Sequence, residues 1–183
     1  MREKIYNLSS LIRYNNKIHI RNENVAEHSF YVALYTMELA KICELSDKET
    51  IQALSEALTH DVHEIEVSDV PHNVKQAYPR LDFDLKVAEE EFNYEYFPDI
   101  YNEDTETYRK RELIENIVLL ADILSVLQYA DTEISLGNRA FEVVKRSAKD
   151  RIEDCISDIF NRGNISSHAN DEIFNLLQEI RTH

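Results

Sequence analysis

The sequence predicts an all-α fold, and three observations support that prediction. Its 183 residues include only two Gly and three Pro, so residues that favour turns are scarce. Apolar residues recur at helical spacing along most of the chain. The Gly-rich patterns of Rossmann and P-loop nucleotide sites do not occur in it. Residues 1–183 fit one domain, and a domain of this size buries roughly 70% of the surface that its unfolded chain exposes.

The N-terminal segment is expected to begin with a helix and then turn into a loop. Apolar residues at helical spacing predict a first helix from Ile5 to about Arg13. Residues 17–24 are mostly polar and are expected to form a loop. Residues 25–44 follow as a second helix, because their apolar side chains form one stripe at helical spacing.

Capping signals mark the remaining helices. Ser with Glu three residues on forms a capping box, Pro favours the first turn of a helix, and Gly favours the position just after its end. These signals predict a helix from the Ser46–Glu49 capping box to about residue 60, a short helix from Pro71 to before Pro79, and a helix over 82–97 with an acidic outer face at Glu89–Glu91.

The second half of the chain is predicted in the same way. An acidic loop over 99–108 precedes a long apolar helix over 109–136, which Gly137 stops. A helix capped by Asn138 then ends near residue 160, and a final helix over 170–181 follows a break at 162–164.

The charge and cysteine content restrict the partners. The chain has 20 basic and 35 acidic residues, a formal net charge of −15. Such a chain repels the nucleic-acid backbone and anionic membranes, so we expect neither a nucleic-acid polymer nor a membrane as partner. Cys43 and Cys155 form no C-x-x-C motif, and no signal peptide or membrane span is expected. A reduced, cytoplasmic setting is therefore expected.

The first candidate for chemistry is the pair His60–Asp61 at the end of an apolar helix. Neighbouring side chains on a helix diverge by about 100°, but at a helix end both can reach one ion. Imidazole nitrogen and carboxylate oxygen suit a borderline divalent metal such as Zn, Mn, Co or Fe. The alternative is a helix-terminal His favoured by the macrodipole, with Asp as a turn residue.

Two further candidates lie on other predicted helices. Asp122 stands in a core-type helix, where its charge requires a salt bridge, a proton or a metal ion. His28 lies near the start of the second helix, where a packed, hydrogen-bonded side chain is the alternative to a ligand. Together with His60 and Asp61 these residues come from three separate helices, as a metal site in the core of a helical bundle requires.

The order of motifs along the chain resembles a known family. The motifs are Arg21-x-x-Asn24-Val25-Ala26-Glu27-His28-Ser29, then His60-Asp61-x-x-Glu64, then Asp69-x-Pro71, then Ala121-Asp122, with Arg13-Tyr14 upstream. This set is similar to the HD-domain metal-dependent phosphohydrolases, and within them to the YfbR-like 5′-deoxynucleotidases. The resemblance covers about residues 5–140 and implies a single-domain HD-type helical bundle. The helices over about 138–181 would then pack on this core or on a partner subunit.

The resemblance implies a role for each matching residue. His28, His60, Asp61 and Asp122 match the ligands of a divalent cation, which is Co, Mn, Zn, Mg or Fe. Glu64 and Asp69 match catalytic residues, and Glu64 takes the position that handles the proton of the attacking water. The substrate-binding candidates are Arg13 for phosphate, Tyr14 where the family often has Trp beside the sugar, and Lys75, with Arg21 as a further cation.

The resemblance also implies the reaction and the assembly. A water activated by the cation would attack phosphorus in a small nucleotide, and a deoxynucleoside 5′-monophosphate would give a deoxynucleoside and phosphate. The first alternative is a deoxynucleoside triphosphate triphosphohydrolase that releases triphosphate. The second is a non-catalytic nucleotide-binding regulatory module. A homodimer or higher homo-oligomer is expected.

Overall fold

The computed structural model describes residues 2–101, 108–162 and 166–182, and within these ranges the chain is helical with no strand. Two short 3-10 helices span Tyr6–Ser10 and Arg139–Phe141. The α-helices are α1 (Arg2–Ile5), α2 (Val25–Ile42), α3 (Asp47–Thr59), α4 (Glu64–Val67), α5 (His72–Ala77), α6 (Pro79–Tyr96), α7 (Pro98–Tyr101), α8 (Tyr108–Ser135), α9 (Glu142–Arg162) and α10 (Ser167–Thr182). The predicted all-α class is confirmed.

The predicted first helix is wrong beyond Ser10. Leu11 is extended, and Ile12 forms an isolated antiparallel bridge with Asn24. The Val25 N–H donates to the Leu11 carbonyl at 3.0 Å, so this pairing continues to the start of α2. Backbone pairing with the segment before α2 therefore replaces the helical hydrogen bonds that the apolar spacing had predicted.

The capping box at Ser46–Glu49 and the helix stop at Gly137 are confirmed, whereas Pro71 lies just before α5 and not in its first turn. The Ser46 N–H donates to Glu49 Oε2 at 2.8 Å, and the Glu49 N–H donates to Ser46 Oγ at 3.4 Å. Gly137 follows α8 with φ of 101°. The Asn138 N–H then donates to the Glu133 carbonyl at 2.9 Å, which is the bond of a Schellman motif.

Several predicted boundaries differ from the structure. Helix α6 begins at Pro79, three residues early, because Pro is well tolerated in a first helical turn. The acidic loop expected over 99–108 is wrong at its start, where α7 extends to Tyr101. That loop is also wrong at its end, because α8 begins at Tyr108, and the break predicted over 162–164 is wrong at Arg162, the last residue of α9. Residues 102–107 and 163–164 lie outside the described residues.

The chain forms two compact units, and each has its own core. The first unit comprises Met1–Phe30 and Leu58–Glu103, and its core consists of Leu8, Val25, Val62 and Phe92. The second unit comprises Tyr31–Ala57 and Asp104–His183. Its core is larger and is built from residues of α2, α3, α8, α9 and α10, among them Val32, Leu39, Ala57, Ile117, Leu120, Ile123, Ile152, Ile156 and Ile173.

The apolar centre of α8 is explained by burial. By length and composition, residues 111–135 are apolar enough to cross a membrane, but 72% of the most apolar window is buried inside the protein. Ile117, Leu120 and Ile123 are at most 1% exposed. Such burial is typical of the core helix of a soluble protein, so α8 does not indicate a membrane span.

Candidate active site

The pair His60–Asp61 lies on the turn between α3 and α4. Helix α3 ends at Thr59 and α4 begins at Glu64, so residues 60–63 form a turn between the two helices. As a result, the two neighbouring side chains meet: His60 Nε2 is 3.2 Å from Asp61 Oδ2. The predicted convergence of this pair at a helix end is therefore found in the structure.

His28 approaches the same carboxylate from the first turn of α2. Its side chain is fully buried, and its Nε2 is 3.5 Å from Asp61 Oδ2. The ring centroids of His28 and His60 are 5.4 Å apart. Two imidazole nitrogens thus face one carboxylate oxygen within the first unit, and this donor set suits a divalent cation.

The charge state of Asp61 agrees with a role as ligand. Burial by itself would raise the pKa of this carboxyl. The neighbouring imidazoles of His60 and His28 and the guanidinium of Arg13 outweigh that effect and hold the pKa well below its usual range. Asp61 is therefore held as a carboxylate, the form that binds metal.

Asp122 lies in α8 of the second unit, between the core residues Ala121 and Ile123. Its side chain is 23% exposed, and its Oδ2 is 3.9 Å from Arg151 Nη2 of α9. Of the alternatives for neutralising this charge, the structure shows a long ion pair. The ligand role of Asp122 stays a prediction.

Glu64 is a buried acid at the first residue of α4. Its side chain is enclosed, and within the described chain its Oε2 has no hydrogen-bond partner. Burial and the charges of Asp61 and Asp69 raise the pKa of Glu64 to about 9, although Arg13 and Lys75 oppose this shift. Glu64 is therefore able to hold a proton at neutral pH beside the His28–His60–Asp61 cluster.

Asp69 connects this region to the Arg13–Tyr14 turn. It follows Ser68, whose φ of 65° is unusual for a residue other than Gly. The Tyr14 N–H donates to Asp69 Oδ2 at 3.3 Å. Burial and the charge of Asp61 raise the pKa of Asp69, while Arg13 and this hydrogen bond lower it.

Arg13 and Tyr14 form the cationic and aromatic part of the site. Arg13 is mostly buried, and its Nη1 is 3.3 Å from Glu23 Oε2. Its guanidinium carbon lies 5.7 Å from the centre of the Tyr14 ring, within the range of a cation–π contact. Lys75 in α5 is half-buried, and its charge lowers the pKa of Glu64 and of Asp69. The first unit thus brings together all the predicted site residues other than Asp122.

Two acids of this region were not predicted from the sequence. Glu23 occupies an unspecified position of the Arg21–Ser29 motif, and its burial depends on the pairing of residues 11–13 with residues 23–25. Glu89 was expected on the acidic outer face of α6, and that expectation is wrong. Burial and the charge of Asp61 raise the pKa of Glu89, whereas His60 lowers it, so it lies near the His–Asp cluster. The apolar Phe92, three residues after Glu89, lies on the same face of α6 and is buried. That spacing was the sequence signal that Glu89 faces the protein interior.

Comparison with known proteins agrees with the motif order. A family model described as 5′-deoxynucleotidase YfbR-like matches residues 2–160. The chain belongs to this YfbR-like family. No curated protein sequence matches it. Membership of the YfbR-like family makes the protein a hydrolase, and more specifically a metal-dependent nucleotide phosphohydrolase.

Solved structures similar to this YfbR-like chain share its fold over nearly the whole length. A conserved hypothetical protein from Pyrococcus furiosus has a TM-score of 0.75 at 23% identity, and 100% of this chain and 98% of that one are covered. The PH0347 protein of Pyrococcus horikoshii OT3 has a TM-score of 0.69 at 26% identity, and 97% of this chain and 99% of that one are covered. The HD phosphohydrolase DatZ of cyanophage S-2L has a TM-score of 0.67 at 16% identity, and 100% of this chain and 98% of that one are covered. The predicted HD-domain fold is confirmed.

Proposed function

We propose that this protein is a 5′-deoxynucleotidase that cleaves deoxynucleoside 5′-monophosphates to a deoxynucleoside and phosphate. The observation that carries the proposal is the convergence of His28 and His60 on the carboxylate of Asp61, with the buried side chain of Glu64 three residues after Asp61. The family description names the same activity. The DatZ structure holds dA and one catalytic Zn²⁺ ion, which supports a deoxynucleoside and a divalent cation here.

In this proposal His28, His60, Asp61 and Asp122 hold one divalent cation. Two imidazoles and carboxylate oxygens are donors that Zn, Mn, Co and Fe accept, and Mg is a further candidate. The convergence on Asp61 Oδ2 fits such an ion because three donors approach one point within the first unit. When bound, the cation supplies Lewis acidity toward a phosphoryl oxygen and makes a nearby water more acidic.

The remaining residues bind the substrate and move protons. Arg13 binds the phosphate through its planar guanidinium, and Lys75 balances further negative charge. Tyr14 packs beside the sugar, and Asp69 fixes the Tyr14 backbone and faces the attacking water. As the water oxygen bonds to phosphorus, the bond from phosphorus to the 5′ oxygen breaks. Glu64 takes the water proton and then releases it to solvent, and the leaving 5′ oxygen takes up a proton from solvent to give the nucleoside.

Product analysis tests this proposal. Protein loaded with each divalent metal in turn is incubated with dAMP, AMP and dATP, and the inorganic product is identified. Release of phosphate from dAMP is expected. Release of triphosphate from dATP, with no phosphate from dAMP, would support a triphosphohydrolase instead. Binding of nucleotide without any turnover would support a regulatory module.

We also propose a homodimer or higher homo-oligomer, as the family resemblance implies, and a cytoplasmic setting, which the free cysteines Cys43 and Cys155 support. The net charge of −15 argues against binding to nucleic-acid polymers or anionic membranes. Light scattering coupled to size-exclusion chromatography measures the mass directly. A mass of two or more times the 21.5 kDa chain is expected, and a monomer would contradict the proposed assembly.

A further inference from the structure

Glu23 is a buried acid next to the proposed phosphate-binding residue, and it occupies an unspecified position of the Arg21–Ser29 motif. It lies in the segment before α2, and only 2% of its side chain is exposed. A carboxylate buried to this extent is unfavourable unless cations compensate its charge. Arg13 Nη1 lies 3.3 Å from its Oε2, and Arg21 Nη1 lies 4.0 Å from its Oε1.

Glu23 holds Arg13 at both ends. The Arg13 N–H donates to the Glu23 carbonyl at 2.9 Å, and the guanidinium contacts the Glu23 carboxylate. The neighbouring bridge between Ile12 and Asn24 fixes the register of the two segments. A free Arg side chain has large rotamer entropy, so attachment at both ends lowers the entropy that phosphate binding would otherwise cost.

Arg21 completes a row of alternating charges. It contacts Glu23 on one side and forms an ion pair with Glu27 on the other. The sequence Arg13, Glu23, Arg21, Glu27 therefore runs from the proposed phosphate ligand to the residue before His28. Burial raises the pKa of Glu23 to about 7, and the charges of Arg13 and Arg21 oppose that shift. The two guanidiniums thus favour the ionised form that Arg13 pairs with.

We propose that Glu23 is a positioning residue, which holds the Arg13 guanidinium in the orientation that binds the substrate phosphate. In this role Glu23 itself touches neither substrate nor cation. The inference rests on the proposed function, because it takes Arg13 as the phosphate ligand. It predicts that loss of Glu23 raises KM through Arg13 while kcat and metal content change little.

A double-mutant cycle tests the proposal. The variants are Arg13→Ala, Glu23→Ala and the double variant, each loaded with metal. We measure kcat and KM for dAMP, the affinity for inorganic phosphate, and bound metal. Glu23→Ala is expected to raise KM and the phosphate Kd roughly tenfold, as loss of a charge-assisted contact does. Added to Arg13→Ala, it should cause no further increase.

Two control variants separate the loss of Glu23 from a general effect of losing a carboxylate and from a failure to fold. Glu142→Gln removes a carboxylate that pairs with Arg139 at an exposed position, and should leave KM unchanged. Glu23→Gln keeps the length of the side chain and serves if Glu23→Ala does not fold. A smaller KM increase is expected for it, again absent when Arg13 is Ala.

The outcomes separate this proposal from the one on which it rests. If Arg13→Ala leaves KM and phosphate affinity unchanged, Arg13 is not the phosphate ligand. The proposed function then loses its phosphate-binding residue, and the positioning role of Glu23 is overturned with it. If Arg13→Ala weakens binding but loss of Glu23 does not, or adds its full effect in the double variant, the positioning role alone is overturned.

Discussion

At the residue scale, Glu64 shows how burial sets chemistry. A carboxyl enclosed beside Asp61 and Asp69 is expensive to ionise, and its pKa rises to about 9. A bound divalent cation would supply positive charge nearby and lower that pKa again. The same residue then accepts a proton when the cation is present, which is what the proposed reaction requires.

We predict that Glu64→Gln lowers kcat for dAMP at least a hundredfold while metal content is retained. The amide keeps the shape of the side chain but cannot accept the water proton. The melting temperature should stay equal or rise, because a costly buried acid is removed. Glu66→Gln is the matched control, since Glu66 lies two residues on in α4 and is exposed beside Lys4. Unchanged turnover in Glu64→Gln would remove Glu64 from the mechanism.

Asp122 is the predicted ligand whose role depends on the family motif. We predict that Asp122→Ala lowers bound metal measured by mass spectrometry, because the ion loses one of its carboxylate donors. Asp131→Ala on the same helix is the control, since Asp131 pairs with Lys145 at 2.6 Å. Stoichiometric metal in Asp122→Ala would show that the fourth ligand is another residue.

At the element scale, the end of α8 depends on one glycine. Gly137 has φ of 101°, and a Cβ there would meet no atom within 4 Å. A larger side chain therefore causes backbone strain but no clash. We predict that Gly137→Ala lowers the free energy of unfolding by about 1 kcal/mol.

Denaturant unfolding measures this effect. Gly137→Asn is the companion variant, and it should lose less stability because Asn tolerates positive φ better than Ala. Equal stability of Gly137→Ala and the natural chain would contradict the strain argument.

The same scale shows what the sequence could and could not predict. Capping boxes, Gly137 and the long apolar run of α8 depend on local chemistry, so they were predictable. The bridge between Ile12 and Asn24 was not, because apolar spacing at residues 5–12 fits a helix equally well. The burial of Glu23 follows from that bridge, and no local pattern marks it. Of the site residues, those carrying family motifs were predictable, and their mutual distances were not.

At the scale of the whole molecule, the two cysteines, Cys43 and Cys155, are buried in the core of the second unit, so their reactivity measures how closed that core is. Burial raises the pKa of the Cys43 thiol to about 11 and that of the Cys155 thiol to about 12. The Cys155 thiol also donates to the Asn116 carbonyl at 3.4 Å. Both side chains are therefore buried core residues that stay in the thiol form at neutral pH.

We predict that neither thiol reacts measurably with a thiol reagent at pH 8 in the folded protein. The thiolate fraction of Cys43 at that pH is about 0.1%, and access is blocked as well. In denaturant both thiols should react at once, which gives the total count as a control. Rapid labelling of one thiol under native conditions would show that the second unit opens locally.

The central claim concerns the reaction itself, and phosphate release from dAMP tests it most directly. Protein stripped with a chelator is titrated with a divalent cation while inorganic phosphate is measured. We predict no release without the cation, and turnover that rises to saturation near one cation per chain. Metal-loaded, folded protein that releases no phosphate from any deoxynucleoside monophosphate would contradict the proposed function.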